Sequence, residues 1–197
     1  MKLCIADPPY LGVAATWYGD ARPTHLGPST LRAVRTSPPR KADNHPDAHL
    51  WDDPEQHRQM MVRLQSEYDG WAVAMKPASL WHYLQWVPSD KCHIAAWVKD
   101  TSLPTGSRPI RMWEPVLIRV PDGRRSAQQR DDKSRDWCRT NGPTGAMRGV
   151  SFAGAKPPAW TRWVLDMLGY DADTDTVDDL FHGSGAVAAE VAQGVLL

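Results

Sequence analysis

A short apolar run near the start of the chain leads directly into a rigid polar tetrapeptide. Leu3-Cys4-Ile5-Ala6 predicts a buried strand, and Asp7-Pro8-Pro9-Tyr10 follows it at once. A proline fixes its own φ angle and restricts the residue before it, so the Asp7 side chain and the Pro8 carbonyl are directed locally. We therefore expect the strand to end at Asp7 and to present this segment at the carboxyl edge of a sheet.

The tetrapeptide offers two hydrogen-bond acceptors and one aromatic face. The Asp7 carboxylate and the Pro8 carbonyl can both accept from an exocyclic amine of a nucleobase. Such an amine is a poor nucleophile, and two acceptors would draw its nitrogen toward a tetrahedral, reactive geometry. Tyr10 supplies a flat surface on which a flipped base can stack. The alternative interpretation is structural, namely a strand followed by a Pro-Pro turn.

A second segment, far along the chain, has the pattern of a nucleotide-binding loop. Asp179-Leu180-Phe181-His182-Gly183-Ser184-Gly185 precedes an alanine-rich helical pattern over 186–194. Glycines let a ligand approach the backbone closely, as in the strand–loop–helix of a Rossmann-like site. A lone Gly-Ser-Gly is usually a turn, but its combination with the Asp7 segment is more specific.

Together the two segments resemble the catalytic and cofactor motifs of the S-adenosylmethionine (SAM)-dependent DNA amino-methyltransferases. These enzymes modify adenine N6 or cytosine N4, and the order seen here resembles their permuted beta group. Lys156-Pro157, at the start of a predicted helix over 158–168, resembles the segment that precedes the cofactor strand in that group. The resemblance implies one α/β domain over 1–197 with a Rossmann-like, mostly parallel sheet flanked by helices. In the family the sheet continues after the cofactor motif, and we expect these outer strands to be lacking here.

The resemblance assigns roles to these residues. The catalytic group is Asp7, Pro8, Pro9 and Tyr10, and the cofactor group is Asp179, Phe181, Gly183, Ser184, Gly185, Lys156 and Pro157. The implied reaction is methyl transfer from SAM to the amine of a flipped base in duplex DNA, and the Asp form of the motif favours adenine N6. The alternatives are a cytosine N4 or RNA amino-methyltransferase, a modifying enzyme with another donor, and a non-catalytic nucleic-acid-binding relative or partner subunit.

Three departures from the family pattern concern the cofactor side. Leu180 and Ala186 stand where the family usually has Pro and Thr, and no acid for the cofactor ribose is evident after the glycine loop. We therefore expect either weak SAM binding by an isolated monomer or a homodimer or partner subunit packed at the open sheet edge.

Basic residues are unevenly distributed although the formal net charge is zero. Two segments, 11–50 and 121–150, lack sustained periodicity and predict long loops that contact DNA. The candidate contacts are Trp17, Arg22, Arg35, Arg124, Arg125 and Arg130, and Trp51 is a further stacking candidate. The alternative is that these are ordinary solvated loops. Trp113-Glu114, before the fourth predicted strand, is interpreted as structural.

The remaining sequence predicts alternating strands and helices. Apolar runs predict strands over 2–6, 71–75, 92–98, 115–120 and 175–181, and a helix begins at Pro54 after a cap at Asp52 or Asp53. A short helix is predicted over 79–87. The three cysteines and seven histidines are scattered without metal spacing, so no metal is expected. No membrane span or signal peptide is evident, which predicts a cytoplasmic protein of a bacterium or a phage-infected cell.

Overall fold

The fold is built around a twisted sheet of six strands. The computed structural model describes residues 1–19, 47–100, 109–124, 134–140 and 155–194. The strands are β1 (Lys2–Ala6), β2 (Gly70–Ala74), β3 (His93–Val98), β4 (Trp113–Arg119), β5 (Trp137–Arg139) and β6 (Thr176–Asp179). Their order across the sheet is β5-β3-β4-β2-β1-β6. Only β4 runs against the others in this described sheet, because it pairs antiparallel with both β2 and β3.

The helices begin and end at residues that suit helix termini. They are α1 (Ala14–Tyr18), α2 (Pro54–Glu67), α3 (Leu80–Tyr83), α4 (Pro158–Leu168) and α5 (Ala186–Ala192), with 3-10 turns at Ala48–Asp52, Pro77–Ser79 and Asp122–Arg124. The Asp53 carboxylate accepts a 2.9 Å hydrogen bond from the Glu55 N–H at the start of α2. Gly169 ends α4 with a left-handed φ of 65°.

Both faces of the sheet are covered, as parallel strands require. Alternate residues of β1 point to opposite faces. Leu3 and Ile5 pack with buried side chains of α4 and α5, whereas Cys4 and Ala6 pack with those of α2 and α3. All five residues of β2 are buried, which explains why this strand reads as an uninterrupted apolar run.

The predicted architecture is confirmed. The five predicted strands and the helices at 54, 158 and 186 are all present, with boundaries that differ by a few residues. The β6–loop–α5 unit lies beside β1, and Ile5 is paired with Asp179. Among the described residues β6 forms the edge of the sheet on this side. None of the described helices is both long enough and apolar enough to cross a membrane.

The prediction that 11–50 is entirely loop is wrong in its described parts. Helix α1 and the 3-10 turn at Ala48–Asp52 lie there and pack against each other. The Asp52 carboxylate accepts from the N–H groups of Ala14 and Ala15 at 2.8 and 3.1 Å. This cap comes from 37 residues further along the chain, so no local sequence window could show it. Residues 20–46 lie outside the described residues.

The prediction that 121–150 is loop or disordered is also wrong in part. The segment contains a 3-10 turn and the edge strand β5, which pairs parallel with β3. Two buried indoles anchor it, because Trp97 Nε1 donates to the Thr140 carbonyl and Trp163 Nε1 to the Arg135 carbonyl, both at 2.8 Å. The strand escapes prediction since it has only three residues and two of them, Trp137 and Arg139, are exposed. Residues 125–133 and 141–150 fall outside the described ranges.

Candidate active site

The two sequence motifs meet at one pocket on the carboxyl edge of the sheet. Asp7 follows β1 directly and Asp179 ends β6, and these two strands are adjacent and parallel. Between them opens a cavity of about 490 Å³. Of the predicted site residues, seven line it: Asp7, Pro9, Lys156, Asp179, Phe181, Gly183 and Ser184. The chain thus brings residues more than 140 positions apart to a single site.

Lys156 joins the cofactor side of the pocket to the catalytic segment. Its ammonium lies 2.7 Å from each carboxylate oxygen of Asp7 and 3.1 Å from the Tyr10 hydroxyl. Only 6% of the Lys156 side chain is exposed, compared with 25% of the Asp7 side chain. A buried ammonium needs such a partner, since an unpaired charge would be strongly destabilising there. Lys156 therefore contacts the predicted catalytic carboxylate itself, which the sequence did not indicate.

Tyr10 is fixed by a second carboxylate on the other side. Its hydroxyl donates to Glu114 Oε2 at 2.7 Å and accepts from Lys156. Glu114 is also paired with Lys99, whose ammonium lies 4.1 Å from the centre of the Trp97 ring. Because the hydroxyl is held at both its donor and acceptor positions, the Tyr10 ring has one orientation. Glu114 was interpreted as structural, but the structure places it in the network of the candidate site.

The charges of this network follow from burial and from its two lysines. Burial raises the pKa of Asp7, and the Lys156 ammonium opposes this rise. Burial also acts to raise the pKa of Glu114, but Lys156 and Lys99 outweigh it, so the pKa lies below its usual value. Burial, aided by Glu114 and Asp7, holds the pKa of Tyr10 well above its usual range. At neutral pH the network thus contains a charged Glu114 and an uncharged Tyr10.

The glycine loop keeps the ligand side of the pocket open. Gly183 and Gly185 have φ angles of 39° and 73°, a region that favours glycine. A Cβ atom built on Gly185 would have no atom within 4 Å, so the backbone there faces free space. Asp179 accepts from the Phe181 N–H at 3.1 Å, and burial raises the pKa of this carboxyl. The loop therefore combines an approachable backbone with a half-buried acid.

An aromatic cluster supports the pocket wall beside this loop. The Trp51 ring contacts Phe181 edge-on, with 4.8 Å between ring centres, and also contacts His57 at 5.1 Å. His57 is completely buried between the Tyr83 hydroxyl and the Trp51 carbonyl, at 2.6 and 2.8 Å. Trp51 thus packs against the cofactor motif. Its side chain lines the pocket together with Tyr18 and Trp160, for which the sequence gave no clear signal.

The structure does not bring the other predicted residues into the pocket wall. Pro8 and Pro157 are buried directly behind it, next to Asp7 and Lys156, and Tyr10 and Gly185 also lie outside the pocket wall. Arg124 lies at the opposite, amino edge of the sheet, where it is paired with Asp175. Arg22, Arg35, Arg125 and Arg130 and the side chain of Trp17 lie outside what the structure describes, so their contact with DNA stays a prediction.

This architecture, with the glycine loop after β6 and the Asp7 segment after β1, is the Rossmann-like methyltransferase fold. Among solved structures it is similar to M1.HpyAVI in complex with SAM, with a TM-score of 0.56 and 12% identity over 98% of this chain and 76% of that chain. A second M1.HpyAVI structure gives a TM-score of 0.48 and 13% identity over 97% and 75% of the two chains. No protein-family model and no curated protein matches the sequence. At these low sequence identities, the similarity between this chain and M1.HpyAVI concerns the fold.

Proposed function

We propose that this protein transfers a methyl group from SAM to the exocyclic amine of a flipped base in DNA, with adenine N6 as the favoured target. One observation carries the proposal. The candidate amine-binding acid Asp7 and the candidate cofactor acid Asp179 end neighbouring parallel strands and open on the same pocket. Methyl transfer needs this juxtaposition, because donor and acceptor must lie in line within one site.

The residues of the pocket fit SAM. Its volume of about 490 Å³ lies in the range of small-molecule sites. Gly183 and Ser184 of the glycine loop line the pocket, so a ligand can lie against this loop. Asp179 supplies a carboxyl group for a cationic ligand, and Phe181 supplies an apolar wall. M1.HpyAVI, whose fold is similar, was crystallised with SAM. When bound, SAM supplies a methyl group on a positively charged sulfur, which leaves as a neutral thioether.

Asp7 acts on the base, and Lys156 orients the Asp7 carboxylate. An ionised carboxylate has about four acceptor sites, so Asp7 can bind Lys156 and still accept a proton of the base amine. Together with the Pro8 carbonyl it directs the nitrogen lone pair toward the methyl group. Directly after methyl transfer the nitrogen still holds both of its original protons and is positively charged. One proton must leave to give the neutral product. Asp7, whose pKa burial raises, accepts that proton and releases it to water.

Tyr10 and Lys156 keep this geometry without moving. The Tyr10 hydroxyl is held between Glu114 and Lys156, so the ring is already oriented as a stacking surface when the base arrives. Lys156 supplies a fixed positive charge that opposes the rise in the pKa of Asp7 caused by burial. This preorganisation lowers the cost of assembling the site at the moment of reaction.

A direct test combines calorimetric titration of SAM with transfer of a labelled methyl group to genomic DNA and to total RNA. We expect SAM binding, label in DNA, and N6-methyladenine on mass spectrometry of the released nucleosides. Label in N4-methylcytosine or in RNA would keep the chemistry and change the substrate. Absence of both SAM binding and label would overturn the proposal. The matched control is Asp7→Asn, which should bind SAM and transfer label at least about 100-fold more slowly.

A second candidate is a nucleic-acid-binding protein that no longer transfers methyl groups. The observation that favours it is the engagement of both Asp7 oxygens by Lys156 in the structure. DNA binding by the wild type without SAM binding or methyl transfer would select this candidate.

A further inference from the structure

Two basic residues lie at the carboxyl edge of the sheet, next to the ends of two neighbouring strands and outside the pocket wall. Lys76 follows β2, which ends at Ala74, and Arg111 precedes β4, which begins at Trp113. These strands are antiparallel neighbours, and the Met75 N–H donates to the Pro115 carbonyl at 3.2 Å. The end of β2 and the start of β4 therefore meet at the edge where β1 delivers Asp7.

The charge of Arg111 acts on Lys76, and neither cation has an ion-pair partner within the described ranges. Burial, and then the charge of Arg111, lower the pKa of Lys76. Asp52 is the acid that acts in the other direction, but both its oxygens accept from the N–H groups that begin α1. In the described ranges neither Lys76 nor Arg111 forms an ion pair. Two like charges held together without an anion repel each other, and an anion between them would relieve that repulsion.

Lys76 also touches the segment that follows the catalytic motif. A Cβ atom built on Gly12 would lie 3.4 Å from the Lys76 ammonium, and Gly12 has a left-handed φ of 75°. Gly12 is two residues beyond Tyr10, which is the candidate stacking surface for the flipped base. The positive pair thus adjoins the segment at which a base would leave its strand.

The surroundings of the pair are those of a nucleic-acid surface. Ile110 and Trp113 flank Arg111 and are 64% and 39% exposed. Exposed apolar and aromatic groups next to cations suit contact with sugars and bases on either side of a phosphate. Arg124, by contrast, is bound to Asp175 and lies at the far edge of the sheet.

We propose that Lys76 and Arg111 form a phosphate clamp for the DNA strand that carries the target base. This inference rests on the proposed function, since it names the residues that hold the substrate backbone beside the Asp7 pocket. A phosphodiester between the two side chains neutralises the pair and fixes the strand while Tyr10 receives the base. The clamp recognises backbone only, so it contributes affinity without sequence preference.

The test is fluorescence anisotropy of a labelled 30-base-pair duplex across a salt series, with the full chain. The double variant Lys76→Gln with Arg111→Gln should make the slope of log affinity against log salt shallower. The magnitude of the slope should fall by about 1.8, for two phosphate contacts, and binding should weaken about tenfold at low salt. The matched control is Arg58→Gln with Arg63→Gln. These exposed α2 residues are paired with Glu55 and Glu67, and the control removes the same net charge. The control should retain the wild-type slope.

A charge-preserving variant separates the clamp from a folding defect. The double variant Lys76→Arg with Arg111→Lys should keep the wild-type slope. Thermal unfolding should show that this variant and the neutral variant are both folded. An unchanged slope in the neutral variant, or an equal loss in the control, would overturn the clamp. Methyl transfer by the wild type with no change of slope would refute the clamp alone. A lowered slope in a protein that neither binds SAM nor transfers methyl groups would refute the proposed function alone.

Discussion

The two edges of the sheet carry similar charged residues but use them differently. At the amino edge, the Asp175 side chain is completely buried and accepts from Arg124, from the Met1 amino group and from the Asp171 N–H. At the carboxyl edge, Asp7 is a quarter exposed, its recorded hydrogen bonds come from Lys156, and it faces a pocket. Asp175 has used its acceptor capacity, whereas Asp7 has acceptor sites left for a ligand.

The comparison shows that charge alone does not identify a functional surface. Arg124 and Lys76 are both basic residues at the end of a strand, and only the first has a carboxylate that satisfies it within the described part of the chain. A cation that is paired at a sheet edge contributes to the fold. A cation left unpaired next to a pocket is available to a substrate. The following predictions test whether charged residues at the amino edge stabilise the fold while those at the carboxyl edge act on a substrate.

The largest effect is expected from removing the charge of Asp7. Asp7→Asn should lower kcat for methyl transfer about 100- to 1,000-fold, because the amide cannot both accept from the amine and take its proton. SAM affinity should change little, since the cofactor residues lie on β6 and the glycine loop. The matched change at the other edge, Asp175→Asn, should leave kcat unchanged. Equal losses in the two variants would refute the division.

Removal of Lys156 should shift the pH dependence of the reaction. Burial raises the pKa of Asp7 and Lys156 opposes that rise, so Lys156→Met should raise the pKa further. The acid limb of kcat/KM then moves to higher pH, so activity at pH 7 falls. Activity should recover on raising the pH. Lys156→Arg, which keeps the cation, should retain the wild-type limb, and the same limb in all three proteins would contradict this account.

Stability, rather than activity, should depend on Asp175. Burial alone would raise its pKa, but Arg124, the Met1 amino group and the Asp171 N–H lower it from 3.8 to about 2. A lowered folded pKa gives stability that is present above pH 3.8 and is lost as the pH falls toward 2. Asp175→Asn should cost about 2–3 kcal/mol of unfolding free energy at pH 7. Urea unfolding at pH 7 and pH 3 measures both effects, and the variant should show the smaller loss on acidification.

The sequence could predict those parts of the fold and site that depend on neighbouring residues. The apolar runs of β1 and β2, the proline at the start of α4 and the Asp7 and glycine-loop segments are all local signals. Asp52 and Asp53 show the limit of prediction from neighbouring residues. Asp53 caps α2 two residues away, but Asp52 caps α1, which lies 37 residues earlier.

The rest of the site depends on contacts between distant parts of the chain. Lys156 reaches Asp7 across 149 positions, and Glu114 reaches Tyr10 across 104. A run of basic residues shows only the sign of the charge, so it could not reveal that Arg124 is already paired. For the same reason, isolated Lys76 and Arg111 gave no signal, because sheet pairing brings them together.

The smallest effect is expected from the buried histidine that supports the pocket wall. The Trp51 carbonyl can only accept, so His57 Nε2 carries the proton and Nδ1 accepts from Tyr83. Burial is the main cause that lowers the pKa of His57 below 6.5. Stability is therefore complete above pH 6.5 and is partly lost as the pH falls below it, by about 1 kcal/mol. Urea unfolding at pH 7.5 and 5.5, followed by tryptophan fluorescence, should show this loss in the wild type. His57→Gln preserves a donor and an acceptor but does not titrate, so it should lack the His57 component of the pH dependence. If both proteins lose the same stability between these pH values, His57 does not couple protonation to this wall of the pocket.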